Sequence, residues 1–477
     1  MRYEPVIGLE VHAQLKTKSK IFCGCPTEFG GLPNDHACPV CLGHPGVLPV
    51  LNRSAVEFAI RAGIALNCQI AETTKFDRKN YFYPDLPKNY QITQFDKPIC
   101  KEGFVDLKGK KIRIHRAHLE EDAGKLIHAG ATGLHGSDYS FVDFNRAGVP
   151  LLEIVSEPDI SSPEEAKDYL MELRTVLRYL DVCDGNLEEG SFRCDANISM
   201  RPEGQTKLGV RAEIKNMNSF RAVQHALEFE IERQTKMLET GERVVQETRL
   251  WNEATGSTHP MRSKEESHDY RYFPEPDLVP LVIGRAWVDE IQAQLPELPK
   301  QRRERYAKDC GLSVDDAAIL AEAKELSDFY DRTLQSGAPA KAAANWVMGP
   351  TIAYLKENKQ DITQTALTPE NVKEIVDAVS GGVLNSSTAK QLLFDCLKTA
   401  GSVKALIQEK GLTQLSDETG LRDMVEAVLK NNPSQFADYK SGKTKLRQFF
   451  FGETMKVSKG KANPQVVNKL LDELLDQ

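Results

Sequence analysis

Three stretches within the first 220 residues alternate apolar and polar side chains with a period of two. Successive side chains of a β-strand point to opposite faces, so each stretch is predicted to be a half-buried strand. Their apolar faces are Ile7, Leu9, Val11 and Ala13, then Phe192, Cys194, Ala196 and Ile198, then Val210, Ala212 and Ile214. Their polar faces carry Glu10 with His12, Arg193 with Asp195, and Glu213 with Lys215. The chain is therefore expected to build a sheet with one buried face and one charged face.

One helix is clearly marked between these strands. Ser162 is predicted as its N-cap, Pro163 as part of its first turn, and Glu165 as the partner in a capping box. Apolar residues follow at helical spacing, at Ala166, Leu170, Leu173, Leu177 and Leu180. Strands and helices mixed in this way predict an α+β fold.

A chain of 477 residues is too long for one compact core, and its composition changes along its length. Residues 1–294 are predicted to form the β-rich domain. The segment Leu295–Pro299 contains two prolines and is predicted to be a linker. Beyond it, residues 295–400 are predicted to form a helical domain and residues 401–477 a small helical tail domain.

Composition excludes several classes of protein. No apolar stretch approaches the roughly 20 residues of a membrane span. The amino terminus also lacks the features of a signal or transit peptide. A cytoplasmic protein without a membrane partner is expected, in which ten cysteines are reduced or bind metal. The net charge of −8 argues against nonselective nucleic-acid binding, but it allows a local basic patch.

The four cysteines Cys23, Cys25, Cys38 and Cys41 form two close pairs separated by turn residues. This spacing is typical of a closed, tetrahedral zinc site, in which four thiolates leave no open position. Zinc is therefore expected to have a structural role. His36 or His44 is an alternative fourth ligand, and four unrelated reduced thiols are the alternative to any metal site.

Acidic residues on the predicted strand faces favour a second kind of metal site. Mg²⁺ prefers carboxylate oxygens and water, and it usually binds beside substrate phosphates. Glu153 is notable because it lies among Leu151, Leu152 and Ile154, where an acid needs a partner or a metal. Each acid taken alone is more typical of a solvated surface group.

Two further segments have the composition of nucleic-acid contacts. Aromatic residues alternate with cations and prolines in residues 75–91 and 267–277, as in surfaces that stack bases, although an aromatic loop packed on the core is equally compatible. Residues 440–469 contain eight basic residues and one acid, Glu453, and favour phosphate contacts. A solvated helix face is the alternative for this basic run.

Together these segments resemble the GatB family, the B subunit of the aspartyl/glutamyl-tRNA amidotransferase. The matching stretches extend along essentially the whole chain and keep their order. They are residues 6–12, 79–85, 118–125, 150–159, 193–197, 213–216, 269–277 and 455–464. The resemblance implies a cradle domain, a helical domain and a tail domain similar to the YqeY family.

The resemblance also implies a reaction and its cofactors. ATP phosphorylates the side-chain carboxylate of Glu-tRNA(Gln), Asp-tRNA(Asn) or both, and ammonia then displaces the phosphate. The enzyme is thus a ligase that forms carbon–nitrogen bonds with glutamine as the nitrogen donor. The chain carries no recognisable glutaminase signature, so GatA is expected to supply ammonia, and GatC completes a heterotrimer.

Site residues are transferred from the family by position. Glu10, His12, Glu121 and Glu153 are the expected Mg²⁺ ligands, with Glu120 as an alternative to Glu121. The other implied roles are catalytic for Asp195 and Glu213, phosphate contacts for Arg193 and Lys215, an ammonia path for Lys79 and Lys88, and tRNA binding for Lys443, Lys445, Arg447, Lys456, Lys459 and Lys461. Two rival interpretations are a non-catalytic, zinc-containing tRNA-binding accessory protein and a metallohydrolase.

Overall fold

A computed structural model describes most of the chain, as two compact units, Met1–Leu298 and Pro299–Gln477. The described residues are 2–129, 139–261, 269–410, 412, 418–458 and 462–476. The first unit mixes strands with helices and the second is helical, which confirms the predicted fold class. The three predicted domain boundaries remain predictions.

The first unit contains sixteen strands and four helices among its described residues. The strands are β1 (Tyr3–Gln14), β2 (Gln69–Ile70), β3 (Thr73–Thr74), β4 (Asp77–Asn80), β5 (Tyr90–Thr93), β6 (Cys100–Leu107), β7 (Lys110–Glu121), β8 (Lys125–Ala129), β9 (Tyr139–Asp143), β10 (Pro150–Ser156), β11 (Phe192–Pro202), β12 (Ala212–Met217), β13 (Glu247–Asn252), β14 (Ser257–Pro260), β15 (Phe273–Pro274) and β16 (Leu281–Val282). The helices are α1 (Arg53–Ala65), α2 (Pro163–Tyr179), α3 (Phe220–Glu239) and α4 (Arg285–Ala293).

Strand β1 lies inside a 12-stranded sheet whose main order is β14-β13-β12-β11-β1-β10-β7-β5-β4-β15. It pairs antiparallel with β11 on one side and with β10 on the other. Strand β6 joins the sheet through β7, and β2 joins through β6. Helices α1, α2 and α3 pack on the apolar face and share one hydrophobic core with it.

The predicted alternation is confirmed in β1 and β11, whose apolar residues are buried as one set. The third stretch differs at its start. Strand β12 begins at Ala212, and Val210 lies before it and is 48% exposed. At Gly209 a side chain would collide with the Met200 carbonyl. The chain can pass this close to β11 only because residue 209 is glycine, and β12 begins after this close approach.

Helix α2 begins as predicted, but its capping box is not formed. The Ser162 hydroxyl accepts a hydrogen bond from the Glu165 backbone N–H, which satisfies one N-terminal donor. The Glu165 carboxylate instead accepts from the Ser161 backbone N–H and pairs with Lys110. The acid at this position therefore ties the helix start to β7.

The second unit consists of helices around two hydrophobic cores. Its α-helices are α5 (Pro299–Asp309), α6 (Val314–Leu320), α7 (Lys324–Gln335), α8 (Ala340–Trp346), α9 (Ile352–Asn358), α10 (Pro369–Ser380), α11 (Ser386–Lys398), α12 (Val403–Glu409), α13 (Glu418–Asn431), α14 (Pro433–Lys440), α15 (Leu446–Val457) and α16 (Pro464–Asp476). One core draws on residues 306–407 and the other on residues 421–475. Among the residues that the structure describes, no helix has the length and apolar composition of a membrane span.

Candidate functional site

The register of the sheet collects charged side chains on the face opposite the helices. Residues directly opposite each other on paired strands share a face. His12 of β1 is paired with Glu153 of β10 and with Arg193 of β11. Glu10 is paired with Asp195 in the same way. This charged face therefore combines polar residues that lie far apart in the sequence.

A β-bulge in β7 brings two more residues to the charged face. The pairing of β7 with β10 shifts between Val155 and Ser156. On β7, Ile112 and Ile114 are buried before the shift, and Ala117 and Leu119 are buried after it. The bulge thus changes which residues point inward. After it, His118 and Glu120 lie on the same face as Glu153.

His12, His118, Glu120 and Glu153 form a compact group, named here the His–Glu cluster. The His12 ring lies 3.5 Å from Glu153 and 3.9 Å from Glu120, measured from Nε2 to carboxylate oxygen. The corresponding distances from His118 Nε2 are 3.3 Å and 3.7 Å. Candidate ligand atoms of His12, Glu120 and Glu153 all lie within 4.8 Å of one another. This donor set suits a hard divalent cation.

The electrostatics of the His–Glu cluster favour added positive charge. Burial alone raises the pKa of Glu153, but His118 and His12 hold that pKa well below its usual value. For Glu120, burial and Glu153 raise the pKa, and His118, Lys79 and His12 bring it below its ordinary value. The pKa values of both histidines are lowered by burial but raised overall by the facing carboxylates. With both carboxylates ionised, their negative charge is balanced either by protons on the two histidine rings or by a bound cation.

Glu10 lies in a second acidic group on the same face. Burial raises its pKa, and Glu153, Glu213 and Asp195 raise it further. The Lys215 ammonium lies 2.6 Å from Asp195 and 3.0 Å from Glu213. The Asn197 side-chain amide donates to Glu10 over 2.9 Å. One lysine thus balances several acids, which leaves a negative field at Glu10.

Arg193 is held in position by groups that sequence reasoning did not identify. Its Nη2 lies 2.9 Å from Asp122, and the Gln14 amide donates to the other Asp122 oxygen over 2.8 Å. Burial raises the pKa of Asp122, but Arg193 and Arg146 hold it below its ordinary value. Arg193 Nε is buried and has no hydrogen-bond partner among the described residues. The guanidinium is therefore fixed by Asp122.

Of the two alternatives for the expected metal site, Glu120 lies in the His–Glu cluster and Glu121 does not. Neighbouring residues of a strand point to opposite faces, and Glu121 points away from Glu153. Its two carboxylate oxygens lie 2.5 and 2.6 Å from Lys88 Nζ, and it also accepts from the Ile92 backbone N–H. Both side chains of this ion pair are buried. Lys88 therefore lies beside Glu121 and away from the His–Glu cluster.

Lys79, the other residue expected along an ammonia path, lies near the His–Glu cluster. Burial lowers its pKa, but Glu120 and then Glu153 raise it above its ordinary value. Its Nζ lies 5.1 Å from the centre of the Tyr270 ring.

The sulfur atoms of Cys23, Cys25, Cys38 and Cys41 lie within 4.8 Å of one another. Neither His36 nor His44 belongs to this group. The buried ammonium of Lys20 lies 3.7 Å from Cys41 Sγ and donates to the His36 carbonyl. A hydrogen bond from Cys23 holds the pKa of Cys41 below its ordinary value. The geometry fits a tetrathiolate site.

Several basic residues of the tail form ion pairs with acids, and the paired Lys443 and Lys456 remain exposed. Lys443 lies 3.0 Å from Asp438, Arg447 lies 2.6 Å from Asp472, and Lys456 lies 3.4 Å from Glu453. Lys445 is the N-cap residue of α15 and is exposed. Lys459 and Lys461 lie outside the described residues.

Sequence reasoning missed His118, Asp122 and Gln14 as site residues. A signal was present for two of them, because His118 is two residues before Glu120 and Gln14 two residues after His12. Residues spaced by two on a strand share a face. Asp122 follows the end of β7, and only the folded chain brings it to Arg193.

Comparison with known proteins gives a consistent family match. A family model described as the GatB/GatE catalytic domain matches residues 5–289, and one described as the GatB domain matches residues 328–475. Relatives named as the B subunit of aspartyl/glutamyl-tRNA(Asn/Gln) amidotransferase are 53% identical in Thermodesulfovibrio yellowstonii and in Brevibacillus brevis. The alignments cover 100% of this chain and 100% and 99% of those relatives. A relative of the same name in Thermosynechococcus vestitus is also 53% identical, over 100% of this chain and 97% of its own length.

Replacing Lys88 by methionine removes the ammonium and leaves Glu121 buried without its charged partner. Breaking a buried ion pair from one side costs about 3–5 kcal/mol, so Lys88→Met should clearly lower the denaturant midpoint of unfolding. The double variant Lys88→Met/Glu121→Gln should lose less than the sum of the single variants, because no unpaired charge remains. Lys16→Met is a matched control, since its pair with Asp181 is exposed and should contribute under about 1 kcal/mol. Strict additivity would show that the pair is not coupled.

Proposed function

The chain belongs to the GatB family of tRNA-dependent amidotransferase subunits, and we propose that its charged face carries out the ATP-dependent step. In this proposal the side-chain carboxylate of Glu-tRNA(Gln), Asp-tRNA(Asn) or both receives the γ-phosphoryl group of ATP. Ammonia attacks the resulting acyl phosphate, an amide bond forms and phosphate leaves. The observation that carries the proposal is the His–Glu cluster, where two ionised carboxylates face two histidines on a rigid sheet.

The reaction explains why such a face is needed. A free carboxylate resists ammonia because its carbonyl is electron-rich and oxide is a poor leaving group, whereas phosphate leaves readily. His12, Glu120 and Glu153 would hold Mg²⁺, whose charge neutralises phosphate oxygens when it is bound. Phosphoryl transfer depends mainly on positioning and electrostatics, which fixed strand residues provide.

The second acidic group has a supporting role in this proposal. Glu10, Asp195 and Glu213 favour a further cation beside the His–Glu cluster, because burial and then the charges of Glu153, Glu213 and Asp195 raise the pKa of Glu10, and a cation would relieve this. Lys215 and Arg193 orient phosphate or carboxylate oxygens. Arg193 is suited to this because Asp122 fixes its guanidinium while the side chain stays 36% exposed.

Partners follow from what the reaction requires. Ammonia is delivered by a glutaminase subunit, GatA, with GatC as the third subunit of a heterotrimer. The effect of Glu120 and Glu153 on Lys79 supports Lys79 as a path residue, whereas the pair with Glu121 argues against Lys88 in that role. The tail domain, 401–477, contacts the tRNA backbone through its basic residues. Zinc at the four cysteines stabilises their loop without taking part in the reaction.

A non-catalytic RNA-binding accessory protein is the second candidate. It accounts for the cysteines and the basic tail, but it gives no role to the His–Glu cluster. A metallohydrolase uses the same acids and is disfavoured by the whole-chain match to amidotransferase subunits. Reconstituting the chain with GatA and GatC, Glu-tRNA(Gln), ATP and glutamine tests all three. Without tRNA-dependent ATP consumption and Gln-tRNA formation, the proposed function fails.

Glu120→Gln keeps the size of the side chain but removes its charge from the proposed Mg²⁺ site. The variant should reduce tRNA-dependent ATP consumption by roughly 100-fold or more, and weaken Mn²⁺ binding followed by electron paramagnetic resonance. Glutamine hydrolysis by GatA should persist. Glu121→Gln is the informative comparison, because Glu121 faces Lys88 and should leave Mn²⁺ binding intact. If Glu121→Gln weakens Mn²⁺ binding and Glu120→Gln does not, Glu121 belongs to the metal site instead of Glu120.

Cys38→Ser removes one of four thiolates, so the purified chain should contain much less zinc than the unaltered chain, which should contain one equivalent. Metal content by atomic emission measures this directly. Cys68→Ser is a suitable control, because Cys68 lies outside the group of four. Zinc-free unaltered protein, purified without chelator, would contradict the assignment.

Lys445→Ala removes an exposed cation from the tail. If Lys445 contacts a tRNA phosphate, the slope of log K against log salt should become less steep by about 0.7–0.9. The affinity for every tRNA tested should fall by a similar factor. Filter binding at several salt concentrations measures the slope. Lys373→Ala, which removes a lysine paired with Asp377 in α10, outside the tail domain, should leave the slope unchanged. An unchanged slope for Lys445→Ala would exclude that contact.

A further inference from the structure

The two aromatic segments noted in the sequence come together in the folded chain. Tyr81 and Tyr270 have ring centres 6.0 Å apart, and Tyr270 and Tyr272 are 5.9 Å apart. Tyr272 stacks on Phe95 with a centre separation of 3.9 Å and an angle of 6° between planes. These four rings, named here the aromatic row, form a continuous series from residues distant in sequence.

Polar contacts fix the backbone on both sides of the aromatic row. The Asn80 side-chain amide donates to the carbonyls of Tyr270 and Arg271 over 3.1 and 2.8 Å. Arg78 forms two hydrogen bonds, of 2.7 and 2.8 Å, with the buried Glu275 carboxylate. Bidentate pairs of this kind fix orientation as well as distance. The protein's own side chains therefore hold the aromatic row in place.

The aromatic row adjoins the His–Glu cluster. The Thr93 hydroxyl donates to Glu120 over 3.2 Å, and Phe95 follows two residues later, about 7 Å along an extended chain. On the other side, Lys79 Nζ lies 5.1 Å from the Tyr270 ring centre and 5.9 Å from that of Tyr81. A base stacked on the row would thus lie about the length of one nucleotide from the carboxylates of the His–Glu cluster.

Exposure shows that the row offers a surface for stacking. Phe95 is 44% exposed although one of its faces is covered by Tyr272. Large exposed aromatic side chains beside a charged site are typical of single-stranded nucleic-acid contacts, because every base has a π-face. We propose that the aromatic row binds the unpaired bases at the 3′ end of the aminoacyl-tRNA. This inference rests on the proposed function and adds a location for the RNA end.

The shape of the charged face favours the RNA end over the adenine of ATP at this place. The aromatic row is a series of four packed rings with Phe95 exposed, which suits a base at the end of a polymer. A small nucleotide is better held in a concave site. Such a groove, of about 500 Å³, lies beside Glu10 and is lined by Gly8, Asn197, Leu208 and Val210. The two substrates would then approach the acids from different sides.

The test uses Phe95→Leu and Tyr272→Leu in the complete heterotrimer. Loss of a stacking ring should raise KM for aminoacyl-tRNA about 10-fold, and leave KM for ATP unchanged. Phe95→Tyr, which keeps the ring, should behave as the unaltered protein. Phe141→Leu is a matched control, because Phe141 is 59% exposed in β9 and lies outside the row.

A fluorescent base gives a second measurement that does not depend on turnover. With 2-aminopurine in place of the terminal adenine, stacking should quench fluorescence on binding, and Phe95→Leu should reduce the quenching. A raised KM for ATP with an unchanged KM for tRNA would assign the row to ATP and overturn the proposal. Unchanged values of both KM and quenching would also overturn it. The variants are compared only if the unaltered heterotrimer consumes ATP in a tRNA-dependent way. If it does not, the proposed function itself has failed.

Discussion

The pairing of β1 with both β10 and β11 is the constraint on which the candidate site depends. It places His12 opposite Glu153 on one side and Arg193 on the other. A slip of one residue would turn these side chains into the apolar face and expose Leu9 and Val11. Burial of the apolar set therefore fixes the register, and the register fixes the charged face. The hydrophobic core and the site are two consequences of one alignment.

The charged faces of β1 and β11 could be predicted from sequence because their alternation is uninterrupted. The resemblance left Glu120 and Glu121 as alternatives, because the bulge in β7 decides which of them faces Glu153 and nothing local in the sequence announces that bulge. Val210 was misassigned because the approach of Gly209 to Met200 depends on tertiary contact. Spacing could identify the four cysteines as one group. It could not reveal the pairing of Lys88 with Glu121 or of Asp122 with Arg193, because these partners lie 33 and 71 residues apart.

Strand β7 links the cysteine loop to the charged face. Glu120 and Glu121 are neighbours that point in opposite directions, one to the His–Glu cluster and one to Lys88. The Lys88 side chain passes directly over Gly43, where any larger residue would collide with it, and Gly43 has a positive φ. The end of β7 is thus held from both faces. The loop that carries the four cysteines can in this way determine where the Glu120 carboxylate lies.

The balance of charge on this face sets a condition for binding nucleotides. Glu153, Glu213 and Asp195 create a negative field at Glu10 that Lys215 only partly offsets. A phosphate approaching these acids without a cation would be repelled, so cation and nucleotide should bind together. An uncharged contact avoids this repulsion. The aromatic row supplies one, since a base can stack there before its charged neighbours reach the acids. Recognition of the base and neutralisation of the phosphates are then carried by different side chains on the same sheet.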